Sequence, residues 1–214
     1  VFSISRSKTV DVNYQQITAD LSNTTEAVNA INTVFASVKN DKITSIILLN
    51  NAGSLGEMNT VGNLDSEKIQ QTIQLNTTTP LVLSNEFIKL TKRLNCKKQI
   101  INISSGAAMN PYAGWSIYCT SKAALDMTTK AIATEQNELK NGVKCVAIYP
   151  GVVDTNMQTS IRKTSESEFK NVQRFIELKE NNELYSPEFV ADKIFQIDIS
   201  NTLENGNIID IRKF

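Results

Sequence analysis

Ser105, Tyr118 and Lys122 are spaced so that they can meet in one site. Tyr118 and Lys122 are four residues apart, and on a helix residues at that spacing share a face. A phenol titrates near ~10 and is a poor proton donor or acceptor at neutral pH, but an ammonium within a few ångströms favours its charged form. Moving a tyrosine by about three pKa units takes roughly 4 kcal/mol of differential stabilisation. A desolvated lysine together with a cationic ligand ring supplies that kind of surrounding. Ser105 would hold a substrate oxygen while Tyr118 passes it a proton. A Tyr-x-x-x-Lys pair alone is unspecific. Its weight comes from the serine thirteen residues earlier, at the end of an apolar run.

Composition narrows the alternatives. Histidine is absent, which removes a Ser-His-acid triad and any histidine-based zinc site, and leaves Ser104 and Ser105 without a hydrolase base. The three cysteines (Cys96, Cys119, Cys145) are odd in number and lack metal-like spacing, so they read as free thiols in a reducing cytoplasm, and no metal is expected. Formal net charge is zero, giving no field to recruit nucleic acid or an anionic membrane. No apolar run approaches the ~20 residues of a membrane span. The 214 residues, 41% hydrophobic, suit one α/β domain.

The elements that must position the three residues are readable in order. Ile100, Ile101 and Ile103 form a buried strand stopped by Ser104, Ser105 and Gly106. Residues 121–134 are rich in Ala, Met, Leu and Lys and predict a helix. Strands are predicted over 1–5, 14–18, 45–49, 144–149 and 207–211. An amphipathic helix is predicted over 24–39, with Val28, Ile31, Phe35 and Val38 inward. A long helix over 65–94 has Asp65 or Ser66 as its cap and is bent at Pro80, which frees a carbonyl near Asn76. Residues 157–184 read as a pair of helices forming a lid, and Ser186-Pro187-Glu188 starts a further helix.

Five pieces occur in order: Asn50-Asn51-Ala52-Gly53, Asn76, Ser105, Tyr118 with Lys122, and Pro150-Gly151. In this the whole chain resembles the short-chain dehydrogenase/reductase family. The resemblance implies a single Rossmann-like domain over 1–214, a doubly wound parallel sheet. In that family a first strand and a glycine turn precede the point where this sequence begins. Without that central strand two long edges would be bare, so an incomplete start is expected. The resemblance also implies an oxidoreductase acting on CH–OH donors, with Ser105, Tyr118 and Lys122 catalytic and Asn76 supporting a proton relay through a held water.

For the cofactor, the resemblance implies that Asn50, Asn51, Ala52 and Gly53 line it, with Tyr118 and Lys122 near the nicotinamide ribose. The Pro150-Gly151 turn, the Val153 backbone and the Thr155 hydroxyl hold the carboxamide. Arg6, with Ser7, follows the first strand where NAD-selective members carry an acid, and a guanidinium suits a 2′-phosphate, so NADP is expected. Asp20 and Leu21 lie by the adenine, although Asp20 equally suits the turn into the next helix. The segments Pro-Gly-Val-Val-Asp-Thr-Asn-Met-Gln and Leu-Lys-Glu-Asn-Asn-Glu-Leu and a final Ile-Asp-Ile strand are similar to those of the sepiapterin and bacterial benzil reductases. There Asp210 would grip a substrate, and in any case an acid inside an apolar strand needs a partner. The expected reaction is NADPH-dependent reduction of a small-molecule ketone or diketone. NAD-dependent oxidation of a secondary alcohol and a non-catalytic cofactor sensor are the alternatives. A homodimer is expected through the helices over 65–94 and 121–141, where Ala123, Ala124, Ala131 and Ala133 allow close approach.

Overall fold

The computed structural model describes residues 1–10, 12–38 and 43–213. Two parallel ladders form from the strands. One pairs β1 (Phe2–Ser5) with β2 (Gln15–Thr18); the other runs in the order β3 (Ser45–Asn50), β4 (Lys97–Ile103), β5 (Lys144–Tyr149), β6 (Ile208–Asp210). Every ladder is parallel, so each strand is followed by a crossover and the strand ends gather on one edge of the domain. The expected α/β parallel architecture is what forms, and the sheet is in two pieces.

Alternation along β4 and β5 decides which helices cover which face. Ile100 and Cys145 point to one side, where α1 (Thr24–Ser37), α3 (Thr79–Thr91) and α4 (Ser116–Asn137) bring Ala27, Ile31, Leu83, Phe87 and Ile132 against them. Ile101, Ile103, Val146 and Ile148 point to the other, against Val190 and Ile197 of α7 (Pro187–Ser200). On that second face the side chains of β3 are left open: Ile47 and Leu49 are 41% and 48% exposed.

Helix starts are capped by side chains, at Asp65 and Ser186 as expected and also at Asn23. Asn23 accepts from the backbone N–H groups of Thr25 and Glu26, Asp65 from those of Glu67 and Lys68, and Ser186 from that of Phe189. The predicted end of the first helix, residue 39, lies outside the described residues. Two predicted helices differ. The long one is not continuous: α2 (Ser66–Ile73) passes into a π turn (Gln74–Thr78) and then into α3. Pro80 sits in the first turn of α3 and has no N–H, which removes the α-helical donor of the Asn76 carbonyl. The catalytic helix α4 begins at Ser116, five residues before the predicted start, because Gly114 (φ +91) turns the chain just ahead of it. Tyr118 is therefore in its first turn. The predicted lid consists of α5 (Asn156–Arg162) and α6 (Val172–Glu180).

Candidate active site

The carboxyl ends of β3, β4 and β5 open into a cleft of about 920 Å³ whose wall includes Ser105, Tyr118 and Lys122. Strand alternation separates the two serines as expected. Ser105 and Tyr118 face each other on the cleft wall, whereas the buried Ser104 hydroxyl donates to the Lys122 carbonyl at 3.4 Å. The Lys122 ammonium donates to the Ile103 carbonyl at 2.7 Å and lies 5.7 Å from the centre of the Tyr118 ring.

Burial dominates the electrostatics. It pushes the Tyr118 phenol above its ordinary range, and the Ser105 hydrogen bond only partly opposes this. Burial also lowers Lys122 to about 8, against the pull of Asp126. The expectation that Lys122 depresses the phenol is therefore outweighed in the protein itself, because desolvating a phenolate opposes its ionisation more than a hydrogen bond favours it. Tyr118 stands as a protonated donor.

Asn76 sits in the π turn and is buried. Its amide nitrogen donates to the Ser54 carbonyl at 2.7 Å and to the Ser121 hydroxyl at 3.0 Å, and its oxygen accepts from the Ser54 N–H at 2.9 Å. Both amide hydrogens are thus committed to tying the turn after β3 to the catalytic helix. What Asn76 can offer a relay is its backbone carbonyl.

A nicotinamide dinucleotide fits the residues on this wall. A Cβ on Gly53 would lie 3.4 Å from Asn76 Oδ1 and 3.6 Å from the Lys122 ammonium, so glycine keeps open a space beside that charge. At Gly151 (φ +73) a Cβ would come within 2.8 Å of the Tyr185 ring, so a side chain is excluded there. Tyr185 donates to the Val152 carbonyl and accepts from the Asp154 N–H, which leaves the N–H and C=O of Val153 directed away from it. Thr155 occupies the cap position of α5 without using its hydroxyl as a cap. Pro150, Gly151, Val153 and Thr155 all line the cleft, so this stretch has the free donors and acceptors that an amide would need.

Other predicted cofactor residues are placed differently. Asn51 and Gly53 line the cleft, but Asn50 and Ala52 are not on its wall. Asn50 is the last residue of β3 and turns inward, donating to Asn102 Oδ1 at 2.8 Å, while Asn102 donates to Thr129 at 2.8 Å. Because neighbouring side chains alternate, Asn50 serves the core and Asn51 the cleft. Arg6 and Ser7 are exposed beyond β1. The Asp20 carboxylate accepts from the N–H and hydroxyl of Ser22, which holds it below its ordinary range, and the Arg6 charge adds a smaller pull. Asp20 is thus built into the turn before α1. The buried Leu21 accepts from Thr79 through its carbonyl at 2.6 Å.

Asp210 does not line the cleft. Its partner is Arg212, whose guanidinium and backbone N–H both donate to the carboxylate and hold it below its ordinary range. It is Arg212, and not Asp210, that stands on the cleft wall. The sequence reading also missed the aromatic wall: Trp115 stacks on Phe169 with ring centres 4.4 Å apart, meets Tyr118 edge-on at 5.6 Å, and packs on Phe175 and Tyr112. The only signal for it was the density of aromatics over 112–118 and 169–175.

A parallel α/β sheet carrying serine, tyrosine and lysine in one cleft at its strand ends defines a nicotinamide-dependent oxidoreductase. The short chain dehydrogenase family model matches residues 4–166, and the chain belongs to the short-chain dehydrogenase/reductase family. It is 44% identical over 178 residues to a benzil reductase ((S)-benzoin forming) from Bacillus cereus, covering 83% of this chain and 72% of that one. It is 40% identical to the Bacillus subtilis (strain 168) protein of the same name, over 100% and 88% of the two chains. A sepiapterin reductase from Xenopus laevis is 28% identical over 90% and 72%. Among solved structures, the KRED1-Pglu enzyme superposes with TM-score 0.82 at 25% identity, covering 97% of this chain and 88% of that one.

Proposed function

We propose that residues 1–214 act as one NADP-binding domain that reduces a ketone or diketone carbonyl with NADPH, on a benzil-like or sepiapterin-like substrate. The observation that carries this reading is the placement of a protonated Tyr118 beside Ser105 on the wall of a cleft lined by Trp115, Tyr112, Phe175 and Leu55. An aromatic, largely apolar wall suits an aryl dicarbonyl. The names of the two Bacillus relatives point the same way.

When bound, NADPH supplies the hydride for the carbonyl carbon. Ser105 donates a hydrogen bond to the carbonyl oxygen and fixes its position. Tyr118, protonated in the resting site, gives that oxygen its proton. Lys122 holds the nicotinamide ribose, and the Asn76 segment supports the return of a proton from solvent. Val153 and Thr155 hold the carboxamide, while Arg6 answers a 2′-phosphate. Arg212, steadied by Asp210, faces the substrate's far side.

The test is the loss of NADPH absorbance with benzil, related diketones and pterins, each run in parallel with NADH. Turnover of a dicarbonyl with NADPH preferred is the expected result. Turnover of none, or equal kinetics with both cofactors, overturns respectively the reaction or the cofactor assignment.

The protein is proposed to work in the cytoplasm as a homodimer. No helix among the described residues is long and apolar enough to cross a membrane. Met127 of α4 and Leu81 of α3 are 64% and 47% exposed, and Ala123 and Ala131 of α4 are exposed as well. Ala133 is instead buried within the chain, and Ala124 half-buried. Light scattering of the purified protein should give twice the chain mass.

A further inference from the structure

Behind the cleft, α4 carries a buried carboxylate that the reaction as described does not use. Asp126 lies one helical turn beyond Lys122 on the same face and is 8% exposed. Its Oδ2 accepts from the hydroxyl of Tyr149, the last residue of β5, and its Oδ1 is buried with no hydrogen-bond partner among the described residues. Burial raises this carboxyl above its ordinary range, and Ser104, just past β4, with Tyr149 and the Lys130 and Lys122 charges, opposes that rise. The charged and titratable groups facing it are Lys122 and Lys130 from its own helix and Tyr149 from β5. Tyr149 in turn feels Asp210 of β6. No described basic group forms a salt bridge with Asp126, so the carboxylate acts through its field and not through contact.

A half-bonded buried carboxylate is destabilising unless a nearby positive charge offsets it. The buried cation on its helix face is Lys122, which has a complementary problem: its ammonium bonds the Ile103 carbonyl, and no described acid lies in salt-bridge range. Building on the reductase reading above, we propose that Asp126, clamped by Tyr149, is a positioning residue whose fixed negative charge keeps the Lys122 ammonium protonated in the site and so sets the alkaline limit of cofactor binding and turnover.

Tyr149 makes this coupling depend on cofactor geometry too. It lines the cleft and directly precedes Pro150-Gly151. The strand end that shapes the nicotinamide pocket therefore also holds the carboxylate in place.

Asp126→Asn is nearly isosteric and can still accept from Tyr149, so it removes charge while leaving packing intact. The pH dependence of NADPH binding, measured by calorimetry without substrate, and of kcat/KM with benzil should be compared in the parent protein, Asp126→Asn, Asp126→Glu and Tyr149→Phe. In Asp126→Asn the alkaline limb of both profiles should move down by about one pH unit, a tenfold change in the proton affinity of the ammonium. Tyr149→Phe leaves the carboxylate half-solvated by protein and ready to take a proton, so it should move the limb the same way by less. Asp126→Glu should restore it. A lowered melting temperature with unmoved limbs would overturn the proposal, leaving Asp126 a packing residue. If no carbonyl is reduced but the binding limb still shifts, the reductase reading fails and the coupling stands. Should Asp126→Asn not fold, an unmoved limb in Tyr149→Phe overturns the proposal by itself.

Discussion

The carboxyl ends of β4 and β5 and the carboxyl end of β1 are built on opposite terms. Around the first, Ile100, Cys145, Val146, Ala147 and Ile148 are fully buried, and Ser104, Asn76 and Lys122 are each tied by hydrogen bonds to a second element. Around the second, the four residues of β1 are half-buried and, among the described residues, pair with β2 alone, and Arg6 and Ser7 face solvent. Proton transfer needs a donor held to within tenths of an ångström, and only a packed surround does that. Recognition of a phosphate by a guanidinium tolerates a looser scaffold, because the fork carries its own geometry. On the reading proposed above, the chemistry sits at the packed strand ends and Arg6 at the exposed end of β1.

The contrast is most sharply broken at the proton donor. Tyr118→Phe keeps the ring among Trp115 and its neighbours, so NADPH affinity should survive while kcat falls about 10²–10⁴-fold, as steady-state kinetics beside a binding titration will show. Full turnover would end the reductase mechanism. Next in size is packing. Ile101→Ala should lower stability by about 2–5 kcal/mol in urea unfolding, and Ile4→Ala in β1 by clearly less. Equal losses would mean that the ribbon is as well packed as the main sheet. Arg6→Asp should weaken NADPH relative to NADH by about 1–3 kcal/mol, with kcat on a saturating dicarbonyl little changed.

The smaller effects test the two serines and the lysine. Ser105→Ala should lower kcat with little change in cofactor affinity, and Ser104→Ala, which loses a long bond to the Lys122 carbonyl and a contact with Asp126 but no group facing the substrate, should be milder. Reversed severity would shift the register of the site by one residue. Lys122 is charged below its value of about 8 and neutral above it, so kcat/KM should bend downward as pH rises through that region.

Much of this arrangement could be read from the residues because it rests on local rules. Tyr118 and Lys122 share a face through helical spacing, and Ser105 is separated from Ser104 by strand alternation. Parallel strands could be expected from unbroken apolar runs such as 45–49. What could not be read depended on contacts between distant segments. Asn50 and Asn51 are identical in type, and only the partner across the sheet, Asn102, shows which one belongs to the core. The partner that an acid in an apolar strand needs is Arg212, which lies beyond the strand end and folds back on Asp210, so the local pattern does not name it. The start of α4 is hidden in the sequence, since residues 116–120 lack the alanine-rich signal and Gly114 sets the turn. The π turn looked like a bent helix, because Pro80 announces a break but not its form.

That π turn limits how the chain can change length. Five residues, Gln74–Thr78, take the place of an ordinary helical step, and Thr79 donates five residues back, to the Gln74 carbonyl. Loss of one codon here would let α2 and α3 fuse into a smoother rod and could even raise helix content. The flanking helices would keep their phase, because the widened turn is what absorbs the extra residue, but the bulge that presents Asn76 would be gone. Asn76 could then no longer face Ser54 and Ser121 at once, and the turn after β3 would come loose from the catalytic helix. Single-residue deletions should therefore be survivable in the α5–α6 connection yet abolish turnover within 74–78, in a segment that composition alone marks as an unremarkable polar stretch.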